Sequence, residues 1–238
     1  NLFFAGRNIS ATHVAFASTR VMATCAVMGQ AIGTAAALAA PLGTRSLAEY
    51  FSPAEVSRLQ QRLLRDDAFV PGLRNADSAD LARTAQVSAS SETPAGAAAQ
   101  VLDGVARELR PDFGPWSDGA THRWESAALP AWLELTWRQP QTIAEIHLTF
   151  DSGLQRELTL SASDSATRKM VRAPQPELAR DYEVHLDGLP LVTVTDNILR
   201  KRVHRLPAPV SAHRLRLRVK STHGVPHARV FEIRAYGS

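Results

Sequence analysis

The pattern of apolar and polar positions changes twice along the chain and divides it into three predicted segments. Residues 1–48 are mostly apolar and contain three basic residues but no acidic residue. Residues 49–92 are charged and have the spacing of an amphipathic helix, whereas residues 93–238 contain long stretches in which apolar and polar positions alternate. These patterns predict a mixed α+β chain, in which a strand–helix piece of an α/β domain precedes an antiparallel β-sandwich.

The first segment is predicted to be a short buried strand, a loop and a long helix. Residues 2–5 (LFFA) are fully apolar, which suits a strand at the centre of a sheet covered on both faces, and this strand should end at Gly6. A polar loop over residues 7–19 then leads into a helix from about residue 21 to residue 40. A strand that delivers a helix N-terminus in this way brings free backbone amides toward an anionic or electron-rich group.

The long helix has to be weighed as a membrane span. Residues 21–44 carry no charge and include Gly29-Gln30-Ala31-Ile32-Gly33, a spacing of glycines that is common in membrane helices. Its glutamine, its threonines and its shortage of Leu, Ile and Phe favour instead a buried helix packed on a sheet. We therefore predict no membrane span.

The second segment contains a clear helix start. Ser52 can cap the helix, Pro53 suits its first position, and Glu55 stands three residues after the cap. The apolar stripe of this helix is predicted to consist of Val56, Leu59, Leu63 and Leu64. We expect the helix to end near residues 66–67, and residues 73–92 to form a linker or a long surface passage.

The third segment is predicted to be rich in strands. The alternating stretches cover residues 132–137, 143–150, 158–161, 182–186 and 214–220, and the chain closes with Val230, Ile233 and Tyr236. Within residues 214–220 the basic side chains should face one side and the aliphatic side chains the other. Short strands at fairly regular spacing, separated by turn residues, are typical of an antiparallel sandwich.

Composition excludes several classes of function. Cys25 is the only cysteine, which excludes a disulfide framework and a cysteine-based zinc site. The net charge of +4 is too small and too evenly spread to favour nucleic acid as a partner. The histidines lack metal-ligand spacing, and the sequence contains no G-x-G-x-x-G, P-loop, H-E-x-x-H or G-x-S-x-G motif. We predict no metal site, and the sequence does not indicate a cellular compartment.

A specific block of sequence lies in the first segment. It consists of NLFFAGRNISATHVAFASTRVMATC (residues 1–25) and MGQAIGTAA (residues 28–36). This block resembles the C-terminal flavin-binding segment of bacterial FAD-dependent oxidoreductases with the glutathione-reductase-like fold. The resemblance implies FAD as cofactor, and it implies that the glycines that bind the dinucleotide lie in a missing N-terminal part of the same protein. We therefore expect the chain to be the C-terminal part of a longer enzyme that would be inactive as a fragment.

The resemblance also implies the residues that bind the cofactor. Gly6 and Arg7 hold the place near the ribityl chain of the flavin, although many relatives have an acidic residue where this chain has Arg7. Ala23 and Thr24 correspond to the helix start near the pyrimidine edge of the flavin, where free amides and the helix dipole stabilise negative charge.

His13 and Arg20 are the catalytic candidates, because the resemblance places them on the loop that faces flavin and substrate. The flavin would accept a hydride from a small-molecule or carbohydrate substrate, while His13 or Arg20 orients that substrate or handles a proton. Cys25 falls inside the helix, and we interpret it as a packing residue.

The third segment resembles a second family, the galactose-binding-like β-sandwich of the discoidin type, and this resemblance implies a jelly-roll sandwich. The matching parts are residues 101–104 (VLDG), 124–126 (WES), 130–135 (PAWLEL), 143–150, 214–219 and 228–236. In such modules ligands usually meet the loops at one end of the sandwich. There we predict Trp116, Asp118 and Arg123 as ligand-binding residues, with His122 beside them.

The tryptophans of this segment are predicted to differ in role. We expect Trp124, Trp132 and Trp137 to lie in the core, which leaves Trp116 as the tryptophan that could stack on a sugar.

Two functional hypotheses follow for a chain divided at residues 1–48, 49–92 and 93–238. In the first, the end of an FAD-binding domain, a helical extension with a linker, and a sandwich together form the C-terminal part of an FAD-dependent oxidoreductase. In the second, the working part is a carbohydrate-binding or adhesion sandwich without catalysis of its own.

Overall fold

In the computed structural model, which describes residues 2–42, 51–156 and 161–237, the chain forms two compact units, Asn1–Val70 and Pro71–Ser238. The α-helices among the described residues are α1 (His13–Thr19), α2 (Met22–Ala39), α3 (Pro53–Arg65) and α4 (Asp164–Lys169). The strands are β1 (Gln86–Ala89), β2 (Trp124–Glu125), β3 (Ala131–Phe150), β4 (Ala179–Leu186), β5 (Leu189–Val194), β6 (Lys201–Thr222) and β7 (Arg229–Tyr236). The predicted fold class, mixed α+β with an antiparallel β-rich part, is confirmed.

The start of the first unit differs from the prediction. Residues 2–5 do not form a strand, and Leu2 and Phe4 are 69% and 58% exposed. A strand needs neighbouring strands to pair its backbone N–H and C=O groups, and no strand among the described residues pairs with this segment. The expected loop over residues 7–19 is also wrong in part, because Thr12 accepts a hydrogen bond from the Ala15 amide and starts α1.

The long helix is confirmed as α2, but its expected burial against a sheet is not seen. None of its residues is buried. Among the described residues, α2 is the one helix long and apolar enough to cross a bilayer. Length and composition alone do not establish a membrane span, so its predicted absence stays a prediction.

The predicted start of α3 is confirmed. The Ser52 hydroxyl accepts a hydrogen bond from the Glu55 amide at 3.4 Å, and Pro53 takes the first helical position. Leu63 and Leu64 of the apolar stripe are buried.

The second unit is an antiparallel sandwich built on two long strands, β3 and β6. They pair along most of their lengths, with register shifts between Thr136 and Gln141 and between Ile143 and Glu145. Before these shifts β3 also pairs with β1, and after them β3 pairs with β7, while β4 joins only the C-terminal half of β6. Hydrogen bonds thus link all seven strands, and each long strand contributes to both sheets of the sandwich, β1–β3–β6–β4–β5 and β6–β3–β7–β2.

Aromatic contacts join the inner faces of these two sheets. The Phe150 and Tyr182 rings lie 5.0 Å apart, and the Tyr182 hydroxyl lies 3.0 Å from His204 Nε2. Phe150 and His204 belong to one sheet and Tyr182 to the other. Burial raises the pKa of Tyr182 to about 12 and lowers that of His204 to about 4, so His204 stays neutral at physiological pH.

The predicted linker over residues 73–92 is instead part of this unit. It contains β1, and the buried Asp80 accepts hydrogen bonds from the Asn75 side chain at 2.7 Å and from the Ala235 amide at 3.0 Å. The sequence does not show that the hydrogen-bond partner of this carboxylate lies far along the chain, so Asp80 was predicted to be a polar linker residue. Most of the stretch predicted as a strand over residues 158–161 lies outside the described residues.

The alternation in residues 214–220 is confirmed. Leu215, Leu217 and Val219 are buried in the core, whereas the basic residues between them face outward.

Candidate functional site

The predicted cofactor-binding residues gather around the start of α2. Gly6 has φ +75°, a conformation that side chains with a Cβ rarely adopt, and a Cβ added there would lie 3.8 Å from Cys25 Cβ on α2. Ala23 and Thr24 lie in the first turn of this helix, and no side chain caps its N-terminus at Val21. The free amides of this turn are therefore available to an electron-rich group.

The two predicted catalytic residues lie at opposite ends of α1. His13 begins the helix and Arg20 caps its C-terminus, which separates them by about 10 Å along the helix axis. Both side chains are exposed, as is Arg7. Cys25 Sγ donates a hydrogen bond to the Thr19 carbonyl at 3.7 Å, so this cysteine links the two helices.

The predicted ligand-binding residues of the sandwich are engaged in internal contacts. Asp118 accepts hydrogen bonds from Arg74 and from the Ala120 amide, at 2.9 and 3.0 Å. Arg123 is mostly buried and pairs with Glu108 at 2.7 Å. Trp116 is half-buried, and a Cβ added at Gly114 would lie 3.2 Å from its indole nitrogen.

His122 connects this loop to the rest of the unit through hydrogen bonds to two carboxylates. Its Nδ1 lies 2.7 Å from Asp103 and its Nε2 2.9 Å from Asp118, and its backbone has φ +50°. Burial by itself would lower the pKa of His122, but the hydrogen bonds and charges of the two carboxylates outweigh burial and raise the pKa.

This arrangement predicts a loss of stability as the pH rises above 6.5. A raised pKa means that the stabilisation by His122 is complete below its ordinary pKa of 6.5 and is lost as the pH rises through the folded-state value. We expect His122→Gln to flatten the dependence of the unfolding free energy on pH above 6.5, measured by urea denaturation. An unchanged dependence in this variant would contradict the role of His122.

A site on the outer face of the sheet β1–β3–β6–β4–β5 was not predicted from the sequence. A cavity of about 450 Å³ lies over β3, β6 and β4. We call it the arginine face, and it is lined by Pro130, Ala131, Trp132, Glu134, His185, Gly188, Arg214, Arg216 and Arg218.

Trp132 was predicted to be a core residue, and this prediction is wrong. Trp124 and Trp137 are buried as expected, but Trp132 is only partly buried and lines the cavity. Leu133 and Leu135 on the same strand are buried in the core, so the alternation of a strand turns Trp132 outward. The alternation of residues 132–137 in the sequence carried this signal.

The central arginine of the arginine face is held by an aromatic ring and a carboxylate. The Arg216 guanidinium lies 4.4 Å from the centre of the Trp132 ring, and its Nε donates to Glu134 at 2.8 Å. Among the residues that the structure describes, no group of His, Cys, Asp and Glu side chains could hold a metal ion.

Comparisons with known proteins divide the chain in a similar way. The family model for FAD dependent oxidoreductases matches residues 1–63, which confirms the resemblance of the first segment. A second family model, described as a domain of unknown function (DUF7402), matches residues 80–167. No curated protein matches the chain.

Solved structures similar to this chain include carbohydrate-binding modules. One is the family 32 module of Clostridium perfringens NanJ in complex with galactose, with 17% identity, a TM-score of 0.43 and coverage of 65% of this chain and 95% of that chain. Another is the family 32 module of Streptococcus pneumoniae EndoD, with 18% identity, a TM-score of 0.47 and coverage of 67% and 99%. The third segment was expected to resemble modules of this kind. Because both TM-scores are below 0.5, the evidence for the sandwich fold is the strand pairing described above and not this similarity.

The chain is thus similar to FAD-dependent oxidoreductases over residues 1–63 and to the DUF7402 domain over residues 80–167.

Proposed function

We propose that this chain is the C-terminal part of an FAD-dependent oxidoreductase that transfers a hydride from a small molecule or a carbohydrate. The observation that carries the proposal is the family match over residues 1–63. The exposed apolar side chains of the same region support it, since they offer a surface for the rest of a flavin domain. They include Leu2, Phe4, Val14, Met22 and Val27.

The residues at the start of α2 suit the cofactor. The uncapped first turn, with Ala23 and Thr24, offers backbone amides to the pyrimidine edge of the flavin. Gly6 and Arg7 would lie along the ribityl chain, where the guanidinium of Arg7 can donate hydrogen bonds to hydroxyls but cannot accept them. When bound, FAD would supply the acceptor for a hydride, which carries two electrons.

The exposed side chains of α1 would act on the substrate. The imidazole of His13 is a side chain of the kind that serves as a general acid or base, and the guanidinium of Arg20 can orient a polar substrate through its hydrogen-bond donors. Their separation along α1 means that they would contact different parts of the ligand.

We expect His13→Ala and Arg20→Gln, each made in the protein at its natural length, to slow flavin reduction by substrate by about 100-fold or more. Stopped-flow absorbance of the flavin measures this rate. Arg58→Gln serves as a control, because Arg58 is an exposed arginine on α3 of the same unit. Unchanged reduction rates in both test variants would remove His13 and Arg20 from the reaction.

A second candidate function, carbohydrate binding by the sandwich, is favoured by the arginine face. The cavity combines a partly exposed tryptophan with charged hydrogen-bonding side chains, and sugars are bound by this combination of flat apolar and polar groups.

A further inference from the structure

Three arginines lie at regular spacing along one strand of the arginine face. Arg214, Arg216 and Arg218 alternate along β6, so their Cα atoms follow one another at about 7 Å on the same side of the sheet. In the strand register Trp132 lies opposite Arg218, and Glu134 lies opposite Arg216. The cations therefore form a row bordered by an aromatic ring and a carboxylate.

The second border of the row is β4. His185 lies opposite Arg216, and Glu183 lies opposite Arg218. Glu183 accepts hydrogen bonds from Lys220 and His185, and the hydrogen bond from Lys220 is the main reason that the pKa of Glu183 is lowered. Glu183 is thus ionised at neutral pH.

The basic side chains of the arginine face are more exposed to solvent than the neighbouring acidic side chains. The side chains of Arg214 and Arg218 are 51% and 50% exposed, whereas those of Glu134 and Glu183 are 14% and 16% exposed. A ligand that approaches the cavity meets guanidinium groups first and carboxylates beneath them.

The outer arginines are only loosely paired. Arg214 lies 3.8 Å from Asp187, and Arg218 lies 3.9 Å from Glu183, which are long distances for ion pairs. Arg216, by contrast, is fixed by the 2.8 Å contact with Glu134 and by the ring of Trp132. The centre of the row is therefore rigid, and both ends have donors to offer a ligand.

We propose that the arginine face binds an acidic carbohydrate, an inference that rests on the carbohydrate-binding candidate above. Carboxylate or sulfate groups of the sugar would accept paired hydrogen bonds from Arg214 and Arg218. Sugar hydroxyls would donate to Glu134, and the exposed part of Trp132 would contact a sugar ring.

The carboxylates favour a sugar over a nucleic acid. A sugar hydroxyl can donate a hydrogen bond to Glu134 or Glu183, whereas a phosphodiester has no proton to donate. The volume of about 450 Å³ is that of a pocket for a small ligand or a short stretch of a chain of sugars.

The test uses calorimetric titration of the whole chain with four polymers: polygalacturonate, dextran sulfate, neutral dextran and single-stranded DNA. The test variant carries Arg214→Gln and Arg218→Gln together, and these half-exposed side chains can be replaced without opening the core. The matched control is Arg205→Gln, since Arg205 is on the same strand, is 79% exposed and lies outside the cavity.

We expect binding to polygalacturonate or dextran sulfate, with affinity about 10-fold or more lower in the double variant and unchanged in the control. The better of the two polymers distinguishes a carboxylate from a sulfate ligand. Acidic polymers that bind the double variant as tightly as the original chain would overturn the inference.

The remaining outcomes separate this inference from the function on which it rests. Equal affinity for neutral dextran would keep carbohydrate binding and overturn the acidic ligand. If the chain binds only DNA and the double variant loses this binding, the ligand is not a sugar. If the chain binds none of the three carbohydrates, both the acidic ligand and carbohydrate binding by the sandwich are overturned.

Discussion

Trp137→Ala should lower the free energy of unfolding of the sandwich unit by about 3–5 kcal/mol. Trp137 is 3% exposed, and its indole nitrogen donates a hydrogen bond to the Leu81 carbonyl at 2.8 Å. Truncation would leave a large cavity in the core and a carbonyl without its partner. Urea denaturation followed by near-ultraviolet circular dichroism measures the change.

The control for this variant is Trp132→Ala on the same strand. Trp132 lies on the opposite face of β3 from Trp137, so its removal should cost about 1 kcal/mol or less. Equal losses of stability in the two variants would contradict the assignment of inner and outer faces on β3.

The second large effect is a loss of stability in acid, caused by His204. Burial is the main reason that its pKa in the folded chain is about 4, against an ordinary value of 6.5, and the charge of Arg202 adds to it. Between these values the unfolded chain binds a proton that the folded chain does not. The free energy of unfolding should therefore fall by about 3 kcal/mol as the pH falls through this window.

His204→Gln is the variant that isolates this effect. Glutamine keeps an acceptor for the Tyr182 hydroxyl, which lies 3.0 Å from His204 Nε2, but it does not titrate. The difference in unfolding free energy between the two proteins should depend on pH between 6.5 and about 4. His122 does not interfere, because its raised pKa acts above 6.5. A difference that is constant with pH would contradict the buried neutral state of His204.

Local signals in the sequence predicted local structure well. The cap of α3 at Ser52 is confirmed, since a capping box involves residues within one helical turn of each other. The alternation of residues 214–220 was equally reliable, because strand geometry alone turns successive side chains to opposite faces.

Features that depend on distant partners were not predicted. Asp80 looked like a linker residue because its partner, the Ala235 amide, is at the other end of the chain. The strand predicted over residues 2–5 is not formed, because a fully apolar strand needs neighbouring strands and no strand among the described residues pairs with this segment. The arginine face required the register of β3, β4 and β6, which no single stretch of sequence contains.

The central claim is that the first segment forms part of an FAD site, and the most direct measurement is the flavin content of the protein purified at its natural length. We predict bound FAD that bleaches with dithionite. Gly6→Val should lower FAD affinity at least about 10-fold, because valine does not adopt φ +75°, while the sandwich stays folded. A colourless protein that takes up no added FAD would contradict the account.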